Sequence, residues 1–246
     1  MDLTNRAVLI TGGRRIGRAV AEELARRGAH LCLSHRRTPG DLERTAETAR
    51  AMGRTVILAR ADLADETECS RLVEETVRGL GRLDILIHMA SLYESKPFDE
   101  MNGHDWDRGL AVDARAAFLC ARAAVPHMRA VGGGRIVLLS DWLPASGRPR
   151  YRGYLSYYVA KAAVIGLTEA LALELAADNI LVNAVAPGPI RPPDTVDADE
   201  IEKVGKVTPL GHWGGDQEVV KAVVALIDAD FVTGETIRVD GGRHLQ

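Results

Sequence analysis

Cysteine, aromatic side chains, surplus positive charge and long apolar runs are all scarce in this chain, and each scarcity removes a class of protein. The three cysteines, Cys32, Cys69 and Cys120, are far apart and odd in number, and no His/Cys cluster accompanies them. A disulfide framework and a metal site are therefore not expected, and the cysteines read as small core residues. Three Trp, five Tyr and three Phe leave no aromatic platform for stacked bases. Lys plus Arg number 31 against 34 Asp plus Glu, a net charge of −3, so nucleic-acid and membrane partners are not expected either. No stretch reaches the roughly 18 uninterrupted apolar residues of a membrane span, and the N-terminus lacks the apolar core of a signal peptide. A cytoplasmic protein acting on a small molecule is expected.

What is present is a regular rhythm. Hydrophobic residues make up 46% and charged residues 26% of 246 positions, with no linker or composition break, so one domain over residues 1–246 is expected. Short apolar runs (Ala7–Ile10, Leu31–Leu33, Val56–Leu58, Leu83–His88, Ile136–Leu139, Ile180–Ala186, Thr236–Val239) alternate with helical patterns. The helices are expected after Ile16, at Asp41–Met52, Glu66–Leu80, Trp106–Met128, Tyr157–Ala176 and Val219–Ile227. Apolar runs without strict alternation fit strands covered on both faces, and their alternation with helices implies right-handed crossovers. The expected fold is α/β: a doubly wound Rossmann fold with a mainly parallel central sheet flanked by helices on both faces. Its ligand should sit beyond the carboxyl ends of the strands. The proline-rich stretch from Gly188 to Gly215 is the least regular and is expected to be a substrate loop.

Thr11-Gly12-Gly13-Arg14-Arg15-Ile16-Gly17 joins the first strand to the first helix. Glycines allow the backbone to approach a pyrophosphate, and the helix N-terminus offers it free N–H groups. The second strand ends in His35-Arg36-Arg37 rather than in the acid that binds a ribose 2′-hydroxyl. Guanidinium groups there suit a 2′-phosphate, so NADP(H) is expected as cofactor. Asp62 and Leu63, after the third strand, and Ala90, after the fourth, are placed on the same cofactor. Asp62 reads equally as an acceptor for the adenine amino group or as a helix N-cap.

Tyr157 and Lys161 stand at i and i+4 on one helical face. The ammonium is expected to stabilise the phenolate and lower a pKa that starts near 10, making Tyr157 a usable acid and base. Together with the glycine turn, with Asn183-Ala184-Val185-Ala186-Pro187-Gly188 and with Val239-Asp240-Gly241-Gly242, this pair makes the chain resemble the short-chain dehydrogenase/reductase family over nearly its whole length. The resemblance implies hydride transfer from a nicotinamide. It implies that Tyr157 handles the proton, that Lys161 holds the nicotinamide ribose, that Pro187 and Gly188 pack beside the ring, and that the chain forms a homotetramer or homodimer on its two long helices.

Finer features resemble the pteridine reductase branch, including dihydromonapterin reductases. Arg15 precedes Ile16-Gly17, Ala90-Ser91-Leu92-Tyr93 offers an aromatic ring for stacking, and Asp240-Gly241-Gly242-Arg243-His244-Leu245 stands just before the last residue. Asp141 stands where most family members have a catalytic Ser. That branch implies substrate contacts from Arg15, Ser91 and Tyr93; Trp142 either lines the pocket or anchors its loop.

Some positions depart from the family pattern. Asp113 replaces an Asn that helps position the active-site Lys through water, adding charge beside Lys161. His88-Met89 replaces the amides that support the central strands. The Asp141–Tyr157 interval is three residues longer than usual, which leaves Ser140 or Ser146 as alternative hydroxyls. The expected function is therefore NADP(H)-dependent reduction of a pterin-like heterocycle, with reduction of a ketone or 3-oxoacyl thioester as the alternative and a non-catalytic nucleotide sensor as a third reading.

Overall fold

Strand β1 (Ala7–Thr11) is buried along its whole length, as an unbroken apolar run covered on both faces should be. The computed structural model describes residues 1–12, 15–192 and 197–246. After β1 come α1 (Ile16–Arg26), β2 (His30–His35), α2 (Asp41–Ala51), β3 (Val56–Arg60), α3 (Glu66–Leu80) and β4 (Ile85–His88). The chain continues through α4 (Gly103–Leu110), α5 (Ala116–Ala130), β5 (Gly134–Leu139), α6 (Trp142–Ala145) and α7 (Leu155–Leu175). It ends with β6 (Ile180–Pro187), α8 (Ala198–Lys206), α9 (Asp216–Asp228) and β7 (Thr236–Val239). Among the described residues the strands form one parallel sheet in the order β3-β2-β1-β4-β5-β6-β7. This is the expected doubly wound α/β fold, and strand order reverses between β1 and β4.

Successive β1 side chains enter different cores. Val8 and Ile10 join Leu24 of α1 and Val223 of α9, whereas Leu9 joins Leu72 of α3 and Cys120 of α5 on the other face. Burying each such aliphatic chain contributes about 1.5–3 kcal/mol. Both layers therefore need apolar residues, and the period-two signal disappears from the strand sequence. On α5 and α7, Phe118 and Leu173 remain exposed.

Two expectations are corrected. The stretch Trp106–Met128 is not one helix, because a widened π turn at Ala111–Arg115 separates α4 from α5. Helical dihedrals run through that turn, so a pattern of period 3.6 cannot reveal it; it leaves Asp113 fully buried. The Gly188–Gly215 stretch is not wholly irregular, because Asp197 caps α8 by accepting from the Glu200 N–H at 2.9 Å. Gly13 and the phosphate-turn candidate Arg14 lie outside the described residues, as do Pro193–Val196. No described helix is long and apolar enough to cross a membrane.

Candidate active site

β1 and β4 end side by side where the strand order reverses, and Thr11 ties them together. Its hydroxyl oxygen accepts from the backbone N–H groups of Met89 and Ala90 at 3.2 and 3.3 Å and lies 3.0 Å from His88 Nδ1. With both acceptor directions used, the hydroxyl proton goes to Nδ1, which leaves Nε2–H to donate to the Val112 carbonyl at 3.3 Å. Burial and the charge of Lys161 push His88 down to about 4, so its imidazole is neutral. The expected loss of amide support at His88-Met89 is thus made good by a hydroxyl–imidazole pair.

The turn beside Thr11 forms a cradle. Gly12 has φ +69, and a Cβ there would stand 2.6 Å from the Ala90 nitrogen. Arg15, at φ +54, precedes α1, whose N-terminus has no side-chain cap. Uncapped N–H groups and close backbone approach are what a pyrophosphate requires. A cavity of about 1040 Å³ opens here along the carboxyl ends of the strands. Ile16, Gly17 and Ala90 line it, with His35, Arg36, Arg37, Asp62 and Leu63 on its β2–β3 side. On the β6 side stand Pro187 and Gly188; a Cβ at Gly188 would meet the Asp240 side chain at 2.5 Å, so the terminal motif packs directly behind it. The cradle fits a nicotinamide dinucleotide.

Asp62 is not a helix cap. It accepts from the Ala64 N–H and pairs with Arg36 at 3.4 Å, whereas Asp65 caps α3 through Thr67 and Glu68.

Deeper in the cavity the Tyr157 hydroxyl donates to Asp141 Oδ2 at 2.9 Å. Asp141 Oδ1 accepts from the Leu143 N–H at 2.8 Å, which makes Asp141 the cap of α6 and fixes its rotamer. α6, at the start of the lengthened interval before Tyr157, thus holds Asp141. The alternative hydroxyls point elsewhere: Ser140 Oγ donates to the Lys161 carbonyl, and Ser146 Oγ donates to the Trp142 carbonyl. Burial raises the Asp141 carboxyl above its ordinary range.

The expected lowering of Tyr157 is corrected. Burial, followed by the charge of Asp141, holds its phenol well above the ordinary value. Lys161 is not free to oppose this, because its Nζ donates to the Leu139 carbonyl at 2.8 Å and pairs with Asp113 Oδ1 at 3.0 Å. The charge expected beside Lys161 is there, as a direct ion pair with Asp113. Asp113 does not itself line the cavity; its link to it is the pair with Lys161.

Ser91, Tyr93 and Trp142 all line the cavity. Tyr93 stacks on Tyr154 with centroids 4.6 Å apart and meets Tyr157 edge-on at 4.8 Å. Trp142 is buried beneath the guanidinium groups of Arg150 and Arg243, at 5.1 and 5.8 Å, so it both lines the wall and anchors its loop. Tyr154, at the end of the inserted stretch, lines the cavity, as do Trp213 and Arg243, to which the sequence reading assigned no role.

A family model described as enoyl-(acyl carrier protein) reductase matches residues 12–244. The chain belongs to the short-chain dehydrogenase/reductase family. It is 33% identical over 250 residues to the 3-oxoacyl-[acyl-carrier-protein] reductase of Staphylococcus aureus, with 100% of each chain covered. A short-chain dehydrogenase/reductase from Serratia marcescens superposes with a TM-score of 0.91 at 30% identity, covering 99% of this chain and all of the other. Carveol dehydrogenase from Mycobacterium avium in complex with NAD superposes at 0.90 and 27%, covering 100% and 99%. One of these proteins is named as a 3-oxoacyl reductase and another as a carveol dehydrogenase, and none is named as a pteridine reductase. The resemblance therefore holds for the family and is not narrowed to its pteridine reductase branch.

Proposed function

We propose that the protein is an NADPH-dependent reductase of a ketone carbonyl. The observation that carries this reading is the Tyr157 hydroxyl, held at 2.9 Å by Asp141 inside a cavity that also contains the dinucleotide cradle. A bound reduced nicotinamide supplies hydride to the carbonyl carbon. Tyr157 donates the proton to the carbonyl oxygen, and solvent replaces it through the open cavity. Asp141 aligns the phenol, and the Tyr93–Tyr154 stack offers a flat wall to a planar substrate.

A second reading, reduction of a pterin-like ring, is favoured by Asp141 itself. Burial favours the protonated form of this carboxyl, the form that can donate to a ring nitrogen. Initial rates of NADPH oxidation with a 3-oxoacyl thioester, a cyclic ketone and a 7,8-dihydropterin separate the readings. Ketone turnover at ten or more times the dihydropterin rate is expected; turnover of the dihydropterin alone overturns the ketone reading. Asp141→Ser should retain ketone reduction within about tenfold, because Tyr157 itself supplies the proton. The same substitution should abolish any dihydropterin rate.

The choice of NADPH rests on Arg36 and Arg37 at the β2 end of the cavity. Arg36 pairs with Asp62 at 3.4 Å, so of these two arginines Arg37 is the one offered to a 2′-phosphate. Losing one charge-assisted contact should lower kcat/KM for NADPH about tenfold in Arg37→Ser and leave NADH unaffected. Equal losses with both cofactors would remove the assignment.

A further inference from the structure

A buried carboxylate outside the cavity governs a group inside it. Asp113 pairs with Lys161 at 3.0 Å, and both side chains are shut away from water, at 0% and 4% exposure. Ser91 Oγ donates to Asp113 Oδ1 at 2.5 Å and the Leu92 N–H donates to Oδ2 at 2.9 Å, so the carboxylate is held at both oxygens. The other bond of Lys161 goes to the neutral Leu139 carbonyl. Its ammonium stands 5.8 Å from the centre of the Tyr157 ring, farther than it stands from Asp113.

We propose that Asp113 is a positioning residue that cancels the charge of Lys161 and so keeps the Tyr157 hydroxyl protonated across the neutral range, the state that carbonyl reduction requires. The proposal rests on the reductase reading above and adds the protonation state in which that site waits for substrate.

An uncompensated cation about 4–6 Å from an ionisable group shifts its pKa by about 1–3 units toward the charged form. For a phenol that shift is downward, toward phenolate. A carboxylate locked onto the cation removes most of it, and more so where water is excluded. The groups facing Tyr157 are Tyr93 from the loop after β4, Asp113 from the π turn, Asp141 at the start of α6, and Tyr154 and Lys161 at α7. Lys161 is the one cation among these five, and His88, which faces Lys161 and Asp113 instead, is neutral. Asp141 and Asp113 both oppose ionisation, and Tyr157 is accordingly held high.

The decisive comparison is the pH dependence of kcat in wild type and Asp113→Asn, in ketone reduction and in oxidation of the product alcohol. Reduction uses the phenol, so its rate falls as pH rises through the Tyr157 pKa; oxidation uses the phenolate, so its rate rises there. Removing the carboxylate charge should move both limbs down by at least about one pH unit. A change in Tm or KM with both limbs in place would show a merely structural role and overturn the proposal.

Tyrosinate absorbance, titrated in wild type and Tyr157→Phe with NADP⁺ present, tests the same point without turnover and without the Asp113 variant. No difference between the two is expected below about pH 9; ionisation of Tyr157 near neutrality would overturn the proposal. If no carbonyl or dihydropterin is turned over, the reductase reading fails, while the same titration of Asp113→Asn still judges Asp113: its Tyr157 should ionise at least about one pH unit below that of wild type, and an unmoved titration would overturn the proposal.

Discussion

Tyr157→Phe is expected to lower kcat for ketone reduction by about 10²–10⁴-fold, the range over which a positioned general acid contributes. The ring stays in place, so its edge-on contact with Tyr93 survives and only the hydroxyl is lost. NADPH affinity, read by quenching or enhancement of nicotinamide fluorescence, should change by less than about threefold, because the cradle at Gly12 and Arg15 is formed by other elements. Asp141 then loses the donor that now stands 2.9 Å away. Retention of more than about a tenth of wild-type kcat would mean that Asp141 protonates the substrate directly, and the role given to Tyr157 would fall. Complete inactivity of the wild type with every substrate, despite NADPH binding, would instead favour the nucleotide sensor.

Gly12→Ala is expected to abolish cofactor binding. Its backbone is left-handed at φ +69, and the added Cβ would meet Ala90 N, Ala90 Cα and the Met89 carbonyl carbon at 2.6, 2.7 and 2.8 Å. All three are backbone atoms of the neighbouring strand end, so none can turn aside. Relief requires β1 and β4 to separate at the point where the pyrophosphate must approach. Overpacking of this kind costs about 1–3 kcal/mol, and the left-handed conformation adds about 1–2 kcal/mol. Gly147→Ala is the control: φ there is +64, yet no atom lies within 4 Å of the added Cβ. Thermal unfolding with and without NADPH reads both variants. The Gly147 variant should keep the NADPH-induced rise in Tm and the Gly12 variant should lose it. An undiminished rise in Gly12→Ala would show that the dinucleotide does not lie against this turn.

Much of the frame could be read before any coordinates. α3 and β7 occupy the expected Glu66–Leu80 and Thr236–Val239, because a capped helix and a short apolar run are decided by neighbours in the chain. The cradle was legible for the same reason, since Gly12, Ile16 and Gly17 lie within one strand–turn–helix unit. Thr11 and His88 were harder. They are 77 residues apart, and their bond replaces a feature whose absence alone was visible. Tyr154 marked the end of the inserted stretch, but its stacking on Tyr93 was hidden because only folding brings the two together.

The sequence by itself determined the alternation that forces a parallel sheet, the glycine turn where strand order reverses, and the tyrosine and lysine on one helical face. These are local patterns, set by helical and strand periods and by backbone sterics. Only the tertiary structure decided what charge Tyr157 experiences. The π turn buries Asp113 and delivers it to Lys161, while α6 presents Asp141 to the phenol. Electrostatic influence depends on separation in space and on the exclusion of water. Folding creates both by joining residues distant in the chain, so the i, i+4 spacing that suggested a lowered phenol pKa could not reveal that the lysine's charge is already spoken for.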